Sequence, residues 1–111
     1  MLKWYKRLYV GDNAKKKEKQ LIRKINMGAG VLDVYLITLA TNPQNQLDIF
    51  SANELKQKAR RRDCPMIVGL CLGYGEAIEM TEMLVQKTYE QTKTADVRKW
   101  LENQMREENS R

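Results

Sequence analysis

The side chains able to do chemistry here are lysines, arginines and a few carboxylates, because the sequence contains no histidine. Without imidazole there is no ordinary general base near neutral pH and no Ser-His or Cys-His pair to activate a nucleophile. Serine occurs only at Ser51, which reads as a helix cap, and at Ser110 near the C-terminus. Asp48 followed by Glu54-Leu55-Lys56 has the spacing of a metal-dependent nuclease core, in which an Asp and an E-x-K hold Mg²⁺. That chemistry needs the E-x-K on a strand. Glu54 instead closes a Ser51-Ala52-Asn53-Glu54 capping box, which puts it and Lys56 on a helix, so the nuclease reading is rejected. Glu76, Glu79 and Glu82 recur at three-residue spacing on a predicted helix. That row suits either a divalent cation or a solvated face, and no metal site is assigned to it.

The basic residues carry more information because they are unevenly placed. The net charge is +6, and residues 1–30 hold nine Lys/Arg against two acids (+7) while residues 31–111 hold eleven against twelve (−1). Lys15, Lys16 and Lys17 fall in the first turn of a predicted helix, where the macrodipole disfavours cations by about 0.3–1 kcal/mol each. Lys15, Lys19 and Arg23 continue as an i, i+4, i+8 stripe opposite the apolar face. Free N–H groups at a helix start suit an anion, and lysines there add charge. The same stripe also fits a plain solvated basic face. Gly73-Tyr74-Gly75 joins a strand to a helix, a position where many α/β proteins bind phosphate, but Ile78 stands where a third glycine would complete G-x-G-x-x-G. Glu76 beside it opposes a phosphate, no Walker loop is present, and no cofactor is assigned. Arg60-Arg61-Arg62 ends a predicted helix, where cations suit the dipole.

The elements that position these residues follow from periodicity and punctuation. Residues 4–10 read as a strand ending at Gly11, and Asp12 or Asn13 caps a helix running to about Met27, closed by Gly28. Residues 31–40 form a long β-branched strand whose near-continuous apolarity places it centrally. After a turn containing Asn42 and Pro43, residues 47–50 alternate as an antiparallel edge strand, and the capping box starts a helix to about Arg61. Residues 64–72 form a strand that separates Cys64 from Cys71 by about 23 Å, too far for a disulfide. A helix over residues 76–89 is predicted to bury Ala77, Ile78, Leu84 and Val85. Thr94 or Asp96 opens a last helix striped with Val97, Trp100, Leu101 and Met105. Residues 106–111 have no apolar anchor and are expected to fray.

This order predicts an α/β fold: one domain over residues 1–105, with about four mostly parallel strands, helices packed on them and two helices at the C-terminus. No apolar run approaches the roughly 18–20 residues of a membrane span, and the charged start lacks an apolar signal core, so a cytoplasmic setting is expected. Residues 31–40, the block over residues 47–55, and Val68-Gly69-Leu70 with Gly73-Tyr74 and Glu76-Ala77 resemble a family of short bacterial proteins without an assigned activity. The resemblance covers about residues 3–100. It implies no activity and supplies no functional residues.

With parallel strands, the loops at residues 11–13, 41–43 and 73–75 share one rim with the first-turn lysines. The candidate anion site is therefore Asn13, Lys15, Lys16, Lys19, Arg23, Asn42, Gly73, Tyr74 and Gly75, with Tyr74 as a stacking face. The expected function is a non-enzymatic binding module facing nucleic acid or an acidic protein surface. The alternative is a small nucleotide- or phosphate-handling enzyme using those same loops. A homodimer is expected through the short edge strand or the last helix, which carries Trp100.

Overall fold

The computed structural model describes residues 1–42 and 44–109. Four strands form one sheet: β1 (Trp4–Val10), β2 (Val34–Leu39), β3 (Leu47–Ser51) and β4 (Ile67–Leu72), in the order β1-β4-β2-β3. α1 (Asp12–Lys15), α2 (Glu18–Asn26) and α3 (Lys58–Arg62), with a 3-10 turn over Ala52–Lys56, lie on one face. α4 (Tyr74–Thr92) and α5 (Val97–Asn109) cover the other. Two apolar cores result. Leu21, Ile25, Leu36, Leu55 and Leu70 fill the first, and Ile37, Val68, Leu84, Val97 and Leu101 fill the second. Burial of each such side chain contributes about 1.5–3 kcal/mol.

The sheet is mixed rather than mostly parallel. β1 and β4 run parallel, and β2 is antiparallel to both its neighbours. The cause lies in residues 27–33. Gly28, at φ 77°, turns the chain out of α2. The Asn53 side chain then holds Val31 at both its N–H (2.9 Å) and its C=O (2.8 Å). The chain is thereby returned to the rim where β4 ends before β2 begins, with Val34 opposite Leu72. Central placement of β2 and the antiparallel edge strand β3 are as the apolar patterns predict.

Three local expectations change. The single helix from residue 12 to 27 breaks at Lys17 (φ −117°, ψ 16°). Three lysines in one N-terminal turn, with Lys15 and Lys19 as an i, i+4 like-charge pair, oppose a continuous helix. The capping box does not close. Ser51 Oγ accepts from the Asn53 N–H at 3.4 Å, while Glu54 pairs with Arg60 at 2.9 Å. The chain passes instead through the 3-10 turn and an extended Gln57 before entering α3. Finally, α4 turns Ala77, Met80, Leu84 and Thr88 to the sheet and leaves Ile78 (37%) and Val85 (38%) exposed.

α5 docks as its stripe predicts, with Val97, Trp100 and Leu101 buried. Asp96 Oδ1 accepts from the Lys99 N–H (3.1 Å), and Gln46 Oε1 from the Val97 N–H (2.6 Å). The helix continues beyond residue 106 to Asn109, and the rest of the expected frayed tail, Ser110 and Arg111, lies outside the described residues. No described helix is long and apolar enough to cross a membrane, and both cysteines are free.

Candidate anion-binding surface

β1 and β4 end side by side, so the loops at Gly11–Asn13 and Gly73–Gly75 do share a rim. The space between them is filled by Glu76. Its Oε2 accepts from the Asn13 N–H (2.8 Å) and its Oε1 from the Leu72 N–H (2.9 Å). One carboxylate thus satisfies an orphan donor at the start of α1 and another at the end of β4. Gly11 is required by this contact, because a Cβ there would lie 2.0 Å from Glu76 Oε1 and 2.6 Å from its Cγ. The rim has its own anion.

Gly73, at φ 93°, makes the turn into α4 and donates its N–H to the Asp33 carbonyl at 2.7 Å. Tyr74 packs edge-on against Tyr35, ring centroids 5.4 Å apart, and Tyr35 belongs to the α4–α5 side of the sheet. The sheet therefore separates this aromatic from the lysines of α1 and α2. Asn42 is at the opposite rim, because β2 runs antiparallel to β4. There its Oδ1 accepts from the Gln44 N–H (2.9 Å) and its carbonyl from Arg98 (3.4 Å), which is turn and docking work. Pro43 lies outside the described residues.

Lys15, Lys16, Lys19 and Arg23 do come together. With Lys17, Glu18 and Gln20 they line a shallow hollow of about 440 Å³ across the break between α1 and α2. All four cations are exposed, and none has an ion pair among the described residues. The arginine run does not extend this surface as free charge. Arg61 donates to the Ile25 and Asn26 carbonyls, capping the C-terminus of α2, and to the Leu55 carbonyl at 3.0 Å. Arg60 binds Glu54 and lies 4.8 Å over the Phe50 ring, and Arg62 pairs with Asp63 at 3.2 Å.

Among the described residues no three acidic or cysteine side chains are placed to share a metal ion. Burial pushes the Cys71 thiol up to about 12, with the Glu76 charge adding to it. Cys64 is also raised by burial, against the lowering charges of Arg60, Arg61 and Lys3. Both remain neutral thiols at physiological pH. No protein-family model, curated protein or solved structure matches the chain.

Glu76, which the sequence presents only as a neighbour opposing phosphate, is the occupant of the rim. The available signal was a glycine ending each of two strands, with a carboxylate three residues after the second glycine. The contact sets a thermodynamic coupling. Glu76→Ala is expected to cost about 2 kcal/mol, given two charge-assisted bonds and a partly exposed carboxylate. Gly11→Ala should cost a similar amount in the wild type. In a Glu76→Ala background it should be neutral or slightly stabilising, since Gly11 has an ordinary φ of −65°. Denaturant unfolding of the four proteins checks this; additive costs would show that the clash is not with Glu76.

Proposed function

We propose that this protein is a non-enzymatic binding module that presents the α1–α2 face to an anionic partner. The reading rests on one observation: five exposed cations, Lys17 among them, without ion pairs among the described residues surround a single hollow. The partner is a nucleic-acid backbone or an acidic protein surface, read through charge. Tyr74 is not available for stacking from this face, and Trp4 Nε1–H is held by Asn26 Oδ1 at 2.8 Å. Recognition without stacking is weakly selective and strongly salt-dependent. Against the phosphate-handling enzyme stands Glu76, whose carboxylate takes the backbone donors that a phosphate at the rim would need.

Titration of single-stranded DNA, RNA and polyglutamate against the wild type and a Lys15/Lys16/Lys19→Glu variant tests the reading. Three or four single-strand phosphate contacts should give a log–log salt slope of about −2 to −3. Binding should vanish in the variant. A slope near zero, or equal binding by both proteins, counts against the proposal.

A second reading, self-association, has its own support. Trp100 is buried, so the last helix has spent its stripe within the chain. A run of unspent apolar surface lies on α4, where Tyr74 (55%), Ile78 (37%), Val85 (38%) and Tyr89 (56%) are exposed. A homodimer formed there should sediment as such at high micromolar concentration and become monomeric on Val85→Lys. A wild type that remains monomeric removes this reading.

A further inference from the structure

A separate cavity of about 410 Å³ lies between α3 and the β2–β3 pair, lined by Thr38, Asp48, Phe50, Leu55, Cys64 and Pro65 among others. Its size is within the range of small-molecule sites. The floor is polar in an unusual way. Thr38 and Asp48 are direct cross-strand partners, so their side chains stand next to each other on one face. Thr38 is only 1% exposed, and its hydroxyl has no hydrogen bond among the described residues. The other fully buried threonine, Thr88, donates to the Leu84 carbonyl at 2.7 Å, as buried hydroxyls ordinarily do. An unpartnered buried hydroxyl is costly, and this one lines a cavity.

Asp48 is half-buried and likewise has no ion pair or hydrogen bond among the described residues. The other charges of the cavity are spent: Arg60 on Glu54 and Phe50, and Asp63 on Arg62. The register slips between Ile37 and Thr38 where β2 meets β4, a bulge of the kind that re-aims side chains beside binding sites. One uncompensated carboxylate, one orphan hydroxyl and walls of Phe50, Leu55 and Pro65 define a ligand. It has a cationic donor at one end and an apolar body at the other.

We propose that the cavity between α3 and the β2–β3 pair binds a small organic amine, its ammonium held by Asp48 and Thr38 and its apolar body against Phe50 and Pro65.

Cys64 lines the cavity and Cys71 is fully buried, so alkylation of Cys64 reports occupancy. Iodoacetamide labelling at mildly alkaline pH, read by mass spectrometry, would be run with tyramine and phenethylamine, and with 4-ethylphenol as the uncharged control. The amines at millimolar concentration should slow Cys64 alkylation several-fold, and 4-ethylphenol should not. Asp48→Asn and Thr38→Val should each lose the protection. Thr38→Val should also melt no lower than the wild type, because its hydroxyl has no partner to lose. The proposal is overturned by unprotected labelling of the wild type, by equal protection from 4-ethylphenol, or by protection that survives in Asp48→Asn. A lowered melting temperature in Thr38→Val would equally overturn it, by showing that the hydroxyl is already engaged.

Discussion

The Glu76 carboxylate joins the two ends of the parallel strand pair β1–β4, and much else depends on that placement. It draws the first turn of α4 against the loop that leaves β1, so the helix layers on opposite faces of the sheet are tied at one rim. It fixes Gly11 as a glycine for lack of space rather than for backbone conformation. It also decides the chemistry of the rim. In open α/β sheets the carboxyl ends of the strands collect ligands, and backbone donors there suit phosphate. Here those donors are already charge-satisfied from within the chain.

The remaining charge is separated by the sheet. α2 and its approach carry Lys15, Lys16, Lys17, Lys19, Arg23 and Lys24 on one side, while α4 carries Glu76, Glu79, Glu82 and Glu90 on the other. The α1–α2 side therefore carries the denser group of cations, and the acids of α4 stand across the sheet from it. The broken helix contributes to this: the turn at Lys16–Lys17 spreads the cations around a hollow instead of stacking them along one axis. The arginines of α3 are used as fasteners. Arg61 in particular closes the C-terminus of α2 and so holds the basic helix in place.

Much of the fold was legible because it is written in apolar spacing. The central strand over residues 31–40, the edge strand over residues 47–50 and the stripe of α5 with its Asp96 cap all declare themselves in this way. Strand direction does not, since a strand covered on both faces has the same composition whichever way it runs. The segment that leads into the reversed β2 is held by Asn53 gripping Val31 across 22 positions, a contact that no local pattern announces. That one reversal moved Asn42 to the far rim and divided the predicted site. Ile78 and Val85 were misplaced for a related reason. A helix with apolar residues on more than half its circumference leaves its buried face undetermined until Ala77 and Thr88 are seen against the sheet. The cluster of Lys15, Lys16, Lys19 and Arg23 survived because it depends on neighbours along the chain.

Glu76 closes the rim and leaves the α1–α2 face to the proposed anionic partner. Amide chemical shifts followed during titration with a short single-stranded oligonucleotide test this most directly. Shifts are expected to concentrate over residues 15–24 while the Asn13 and Leu72 amides, held by Glu76, do not move. Shifts at Asn13 and Leu72 with residues 15–24 unchanged would contradict it, by placing the anion on the rim and displacing the carboxylate from its donors.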